Sequence, residues 1–185
     1  MKNIKIAVIV GSLRKESFSK KVALSLQKLS PETLALDLID ISKLTMYNQD
    51  LEEEKREPAS WLEFRQTLRK YDAFLFVTPE YNRSLPGVMK NALDVGSRPY
   101  GASAWSNKSG AVISVSPGAL GGFGANHHLR QVLTFLNVAT MQQPEAYIGS
   151  VHTLLDGEGH ISNPSTTKFL KQFMEAFANW IEKNR

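Results

Sequence analysis

The chain has 185 residues, a length suited to one domain with a sizeable core, so we expect residues 1–185 to form a single domain. Its residues are 42% hydrophobic and 22% charged, as in ordinary globular proteins. The absence of cysteine excludes disulfides, thiolate metal sites, iron–sulfur clusters and cysteine nucleophiles. The net charge of +4 suits small anionic ligands and is too small to indicate a nucleic-acid partner.

The sequence carries no recognisable targeting pattern. No apolar run reaches the roughly 18 residues that a membrane-spanning helix needs. The N-terminus also lacks the charged, then apolar, then small-residue pattern of a signal peptide. We therefore expect a cytoplasmic protein with no membrane partner.

The hydrophobic pattern predicts strands that alternate with helices. Predicted strands are 4–10, 34–41, 73–78 and 110–116, with two short segments at 138–141 and 146–151. Predicted helices are 18–29, 61–70, 86–95, 125–136 and a last one carrying Phe169, Phe173, Phe177 and Trp180. The acidic run at 50–54 is expected to be a solvated loop or the start of a helix. This alternation predicts an α/β fold, and its order favours a flavodoxin-like three-layer sandwich with a five-stranded parallel sheet.

The first candidate site is the loop at 11–19, which joins the first strand to the first helix. Free N–H groups and the helix dipole favour a phosphate at such a position. The hydroxyls of Ser12, Ser17 and Ser19 and the guanidinium of Arg14 can all hydrogen-bond a terminal monophosphate. The loop lacks the glycine motifs of nucleoside triphosphatases and dinucleotide enzymes. The alternative is that Ser17 or Ser19 only caps the helix.

Two further loops follow the third and fourth strands. In the loop at 78–87, prolines brace a backbone that can hydrogen-bond the edge of a flat heterocycle, beside Tyr81 and Asn82. The turn at 116–122 is rich in glycine, which lets the backbone approach a planar ligand closely. Turn formation and packing are the alternative roles for both loops. Because ligands bind beyond the carboxyl ends of strands in this architecture, we expect all three loops to form one site.

Taken together, these segments resemble the NAD(P)H-dependent FMN reductase family, close to its chromate, quinone and azo reductases. The matching stretches are GSLRKESFSK, TPEYNRSLPGVMKNALD and SPGALGG, in the expected order in a chain of the expected length. The resemblance implies bound FMN, with NADPH or NADH as co-substrate. It also implies a homodimer or homotetramer with the flavin site near a subunit boundary.

The resemblance further implies which residues bind FMN. Those matching the positions that hold the phosphate are Ser12, Arg14, Ser17 and Ser19. Those matching the loop that borders the isoalloxazine ring are Pro79, Glu80, Tyr81 and Asn82. Those matching the turn at the other edge of the ring are Ser116 and Gly118. The chain departs from its relatives at Ser19, where Asn is frequent, at Val95, where Trp is common, and at 125–126, near which an Arg is common.

The implied activity is that of an FMN-dependent NAD(P)H oxidoreductase. A hydride would pass from NAD(P)H through FMN to a small-molecule acceptor such as a quinone, an azo compound, free flavin or chromate. Since the flavin carries the chemistry, no catalytic side chain is expected. Tyr81 and Arg83 are expected near the exposed face of the ring. No metal site is expected, because the adjacent His127 and His128 would point in different directions on a helix.

Two other functions stay open at this stage. A flavodoxin-type electron carrier would bind FMN without catalysis, although such carriers are strongly acidic and this chain is not. A flavin-free binding or signalling module could also use the same fold, because fold alone does not determine function.

Overall fold

The computed structural model describes residues 3–184, and a parallel sheet lies at its centre. The strands are β1 (Ile4–Val10), β2 (Leu34–Ile39), β3 (Ala73–Thr78), β4 (Ser109–Val115), β5 (Ala139–Thr140) and β6 (Ala146–Ile148). Their order is β2-β1-β3-β4-β5, with β6 also paired to β4, and each pair of named strands is parallel. This order is that of the flavodoxin-like fold, so the predicted fold class is confirmed.

The fifth strand position of the sheet is divided between two short strands. β5 pairs with the beginning of β4 at Ser109 and Gly110, and β6 pairs with its end at 113–115. Between them lies Pro144, which has no N–H to donate to a ladder. The sheet therefore has five positions across its width and six strands.

Helices cover both faces of the sheet. They are α1 (Phe18–Leu29), α2 (Gln49–Glu53), α3 (Ala59–Arg69), α4 (Gly87–Gly96), α5 (Phe123–Phe135) and α6 (Pro164–Lys183). On one face, α1 and α6 pack against the side chains of Ile6, Val8 and Leu75. On the other, α3, α4 and α5 pack against Ile9 and Phe74. Successive residues of a strand point to opposite faces, so the uninterrupted apolar runs of β1 and β3 supply both cores.

The acidic run at 50–54 is not a free loop, because it contains most of α2 and is held by buried arginine. Arg65 on α3 is 2% exposed and lies 3.3 Å from the Glu52 carboxylate and 3.6 Å from that of Glu57. Arg98 lies 2.7 Å from the other oxygen of Glu52. These ion pairs hold α2 against α3 and the end of α4.

The predicted boundaries also differ from the structure after β6. The segment predicted to be a strand as far as Val151 ends at Ile148 and continues into a 3₁₀ turn at Val151–Thr153. An added Cβ at Gly149 would lie 2.4 Å from the Ala119 carbonyl oxygen, and the Ser150 N–H donates to the Gly118 carbonyl at 3.1 Å. The chain therefore leaves the sheet to pack against the turn that follows β4.

No helix within residues 3–184 has the length and apolar content that crossing a membrane requires.

Trp105 fills the centre of the core on the α3–α5 face. It is fully buried, and its ring centroid lies 4.7 Å from that of Phe74 and 6.0 Å from that of Phe64. Its indole N–H donates to the Leu93 carbonyl at 2.9 Å. Helix α4 passes so close that a Cβ at Gly96 would lie 2.5 Å from the indole nitrogen. Gly96 is therefore required for close approach.

We predict that Gly96→Ala lowers the free energy of unfolding by about 1–3 kcal/mol, because the locked indole cannot move away from the added methyl group. Urea unfolding followed by tryptophan fluorescence measures this change. The matched control is Gly87→Ala at the other end of α4, where an added Cβ meets nothing within 4 Å. We expect that variant to be unchanged or up to about 1 kcal/mol more stable. Equal losses in the two variants would contradict the steric explanation.

Candidate functional site

The register of three neighbouring strands brings the three predicted loops together. Val10 pairs with Val77, and Thr78 pairs with Ser114, so β1, β3 and β4 end at the same edge of the sheet. Between the loops is a cavity of about 190 Å³, which we call the loop pocket. Its lining residues are Ser12, Arg14, Ser17, Phe18, Ser19, Pro79, Glu80, Tyr81, Val115, Ser116 and Pro117. Eight of the ten predicted site residues are among them; Asn82 and Gly118 are not.

At the start of α1, two buried serines behave differently. Ser17 is the N-cap residue, and its hydroxyl accepts a hydrogen bond from the Lys20 N–H at 3.2 Å. Ser19 is 1% exposed, and its hydroxyl has no hydrogen-bond partner within the described residues 3–184. The first turn carries no acidic residue that would compete with an anion. A phosphate at this helix end would satisfy the unpaired hydroxyl, so these residues fit the phosphate of FMN.

Arg14 supplies the positive charge beside this helix end. Its main-chain N–H donates to the Ser12 hydroxyl at 3.4 Å, which shapes the loop. The side chain is exposed, and it forms no ion pair with any carboxylate in the described part of the chain. Its guanidinium is thus available to an anionic ligand.

Glu80 lines the loop pocket, but its carboxylate is engaged at the beginning of α5. One oxygen accepts a hydrogen bond from the Ala125 N–H at 3.0 Å, and the other lies 3.5 Å from Arg83. Helix α5 needs such a partner, because its N-cap residue is Gly122 and has no side chain to cap it. Glu80 therefore fixes the loop after β3 to the start of α5.

The next residues of this loop form a tight turn. Tyr81 and Ser84 exchange two main-chain hydrogen bonds of 3.0 Å, and Asn82 and Arg83 between them have φ angles of 51° and 66°. Two residues of positive φ between such partners are typical of a hairpin turn. Asn82 thus forms part of a turn, which was the alternative role for this loop. Arg83, expected near the ring, is exposed and does not line the loop pocket. Tyr81 is half exposed at the rim.

The glycine-rich turn after β4 packs mainly against protein. The Ser116 hydroxyl accepts from the Gly118 N–H at 3.0 Å, which places Gly118 beside the pocket although it does not line it. A Cβ at Gly121, whose φ is +61°, would lie 2.6 Å from the main chain of Tyr147. Gly121 is therefore required where the turn meets β6.

Sequence reasoning missed Asn126, which joins β4, β6 and α5. It is fully buried, and its amide donates to the Ser114 hydroxyl at 3.2 Å and to the Ala146 carbonyl at 3.3 Å. Its oxygen accepts from Arg130 at 2.9 Å. The neighbouring Ala125 is also fully buried. One polar residue among the several that α5 carries gives little signal of such a role.

An aromatic group lies beside the glycine-rich turn and was also not predicted. The Phe123 ring centroid lies 4.3 Å from that of His127 and 5.3 Å from that of Tyr147, and the His127 ring hydrogen-bonds the Tyr147 hydroxyl at 2.9 Å. Burial, with a smaller effect of Glu145, raises the pKa of Tyr147 to about 12. His128 instead bonds the Ser84 hydroxyl.

Within residues 3–184, no three His, Asp or Glu side chains are arranged to hold a metal ion.

Comparison with known proteins gives consistent matches over nearly the whole chain. The family model for NADPH-dependent FMN reductase matches residues 4–153. A quinone reductase from Pseudomonas putida is 56% identical over 180 residues, which are 97% of this chain and 96% of the relative. A 2-hydroxy-1,4-benzoquinone reductase from a Burkholderia species is 45% identical over 98% of each chain. Among solved structures, a flavoenzyme NAD(P)H:(acceptor) oxidoreductase from Paracoccus denitrificans has a TM-score of 0.91, with 42% identity and 98% of each chain covered.

We predict opposite effects for two buried serines of α1. Ser19→Ala should leave the cofactor-free protein unchanged or up to about 1 kcal/mol more stable, because it removes an unpaired hydroxyl. It should also weaken FMN binding by roughly tenfold or more. The matched control is Ser25→Ala, since the Ser25 hydroxyl donates to the Lys21 carbonyl and accepts from the Ile161 N–H, each at 3.0 Å.

That control should lose about 1–2 kcal/mol of stability and keep its affinity for FMN. Thermal unfolding of the cofactor-free proteins and fluorescence titration with FMN measure the two effects. Equal affinity for FMN in Ser19→Ala and the unsubstituted protein would show that the phosphate lies elsewhere.

Proposed function

The chain belongs to the NADPH-dependent FMN reductase family, and from this premise we propose that it holds FMN in the loop pocket and reduces quinones. It is an FMN-dependent oxidoreductase that uses NAD(P)H. The observation that carries the proposed site is the buried, unpaired hydroxyl of Ser19 at the beginning of α1. An unpaired polar atom in this position points to a ligand that completes its hydrogen bonding.

The phosphate of FMN would lie at the beginning of α1. There the free N–H groups of the first turn, the Ser12 and Ser19 hydroxyls and the Arg14 guanidinium can all donate to phosphate oxygens. Ser17 has a supporting role, because its hydroxyl already accepts from the Lys20 N–H and still has its own proton to donate. Hydrogen bonds to a charged group are stronger than neutral ones, so this end supplies most of the polar affinity.

The isoalloxazine ring would lie between the loop after β3 and the turn after β4. When bound, FMN supplies the hydride transfer, and the protein binds and orients the partners. Most main-chain groups at 79–81 and 116–118 already bond within the described part of the protein, which leaves the Glu80 N–H and the Glu80 and Pro117 carbonyl oxygens to meet the edges of the ring. Glu80 keeps the first of these segments rigid through its bond to Ala125. Tyr81, half exposed at the rim, gives a planar nicotinamide or quinone an aromatic surface to contact.

A quinone is the acceptor best supported by the relatives. The Pseudomonas protein is a quinone reductase and the Burkholderia protein a 2-hydroxy-1,4-benzoquinone reductase. Both are covered almost completely by this chain. Azo compounds, free flavin and chromate are the other acceptors that the sequence resemblance implies. The alternative of a non-catalytic electron carrier gains no support from these reductases.

The remaining features of the proposal concern the whole chain. We propose that residues 1–185 form one flavodoxin-like FMN-binding domain, since both cores share one sheet. We also propose a cytoplasmic homodimer or homotetramer. Exposed apolar side chains at the turn after β4 support such an assembly: Leu120 is 64% and Phe123 53% exposed, and the Phe123 ring lies beside that of Tyr147.

We predict that the purified FMN-loaded protein reduces its flavin when mixed anaerobically with NADH or NADPH, and that a benzoquinone then reoxidises it. Stopped-flow absorbance of the flavin follows both steps. If neither nucleotide bleaches the flavin, the protein is not a reductase. If both bleach it but benzoquinone reoxidises it no faster than an azo dye or chromate, the proposed acceptor is wrong.

We further predict that Arg14→Ala weakens FMN binding by about 10- to 150-fold, because one charge-assisted hydrogen bond contributes about 1.5–3 kcal/mol. Fluorescence titration of the cofactor-free protein gives the dissociation constant. The matched control is Arg69→Ala, at the end of α3, whose side chain donates to the Ala102 carbonyl at 3.0 Å. That variant should bind FMN with unchanged affinity, and equal affinity in both variants would contradict the role of Arg14.

A further inference from the structure

A second cavity, of about 440 Å³, adjoins the loop pocket on the side of β2. We call it the β2 cavity; it is lined by the 12–15 segment, the side chain of Lys20 on α1 and the chain at 38–42. Ser12 and Arg14 line both cavities, so the two lie on opposite sides of one loop. The FMN site does not account for this larger space.

The lining of the β2 cavity combines three kinds of chemistry. Apolar surface comes from Leu13, which is 52% exposed, and from the side chains of Leu38, Ile39 and Ile41. Positive charge comes from the exposed Lys15 and Lys20, for which the described residues provide no ion pair. The third kind is the carboxylate of Asp40, which directly follows β2. These groups match the parts of a nucleotide. The apolar surface suits the base, the cations suit the phosphates, and the carboxylate suits the ribose hydroxyls.

Asp40 is held in position as a hydrogen-bond acceptor. The Ser42 N–H donates to one carboxylate oxygen at 2.8 Å. The hydrogen bonds from Ser42, with smaller effects of Lys43 and Lys20, lower the pKa of Asp40. A carboxylate has about four acceptor positions, so most remain for a ligand. In dinucleotide-binding folds, an acidic side chain beyond the phosphate-binding loop accepts a hydrogen bond from a ribose hydroxyl.

We propose that the β2 cavity binds the ADP half of the nicotinamide dinucleotide. Its pyrophosphate lies at Lys15 and Lys20, its adenine contacts Leu13, and Asp40 accepts hydrogen bonds from the adenosine ribose. The inference rests on the proposed function, because the nicotinamide end must reach the loop pocket past Ser12 and Arg14. The 2′-phosphate of NADPH would lie near the Asp40 carboxylate, so this residue disfavours NADPH relative to NADH.

Calorimetry on the FMN-loaded protein tests the site with ADP as the probe. We expect ADP to bind, and Lys15→Ala and Lys20→Ala each to raise its Kd by roughly fivefold, the effect of losing one exposed charge contact. Lys171→Ala, an exposed lysine on α6, is the matched control and should leave the Kd unchanged. Inorganic phosphate is the comparison probe. If phosphate bound as tightly as ADP and with the same dependence on both lysines, the cavity would be only an anion site and the proposal would fail.

Kinetics of the same variants separate this inference from the proposed function. The two lysine substitutions should raise KM for NADH by the same factor as the Kd for ADP, with kcat and FMN affinity unchanged. Asp40→Asn should lower the ratio of KM for NADPH to KM for NADH by roughly fivefold, because it removes one charge repulsion. Bleaching of the flavin by NADH without measurable ADP binding, or with unchanged KM in the lysine variants, would overturn the inference and leave the reductase proposal intact. Failure of both nucleotides to bleach the flavin would instead refute the reductase proposal.

Discussion

Parallel pairing of β1, β3 and β4 is the constraint on which the site depends. The three strands are far apart in the sequence, but Val10 pairs with Val77, and Thr78 pairs with Ser114. Because all three run in one direction, the loops that follow them emerge at one edge of the sheet. An antiparallel strand among the three would carry its loop to the opposite edge. The helix end proposed to bind the phosphate and the two loops of the proposed ring site therefore come together as a result of the topology.

Around this edge, most polar side chains position other parts of the protein. Glu80 fixes the loop after β3 to the beginning of α5, and Asn126 joins α5 to the ends of β4 and β6. Ser17 caps α1. Such contacts keep the pocket in one shape, which suits a protein whose reaction is carried by a cofactor and whose own contribution is orientation.

Sequence patterns predicted those features that depend on near neighbours in the chain. The apolar runs of β1 and β3 predicted buried parallel strands, and Pro86 predicted the start of α4 to within one residue. Contacts between distant residues left no comparable signal. The bond from Glu80 to Ala125 spans 45 positions, and the ion pair between Glu52 and Arg98 spans 46. For that reason a glutamate predicted to border the ring also caps a helix, and Glu52, in an acidic run expected to be a solvated loop or the start of a helix, is held by two arginines.

The unpaired hydroxyl of Ser19 has a consequence for the life of the protein before it acquires a ligand. Burying this group without a partner costs about 1 kcal/mol, and a phosphate that bonded to it would recover the cost only in the folded state. Folding and ligand supply are then linked by mass action, and the folded fraction rises with the concentration of free ligand. Newly made chains in a flavin-poor cell would therefore be the ones most exposed to proteolysis.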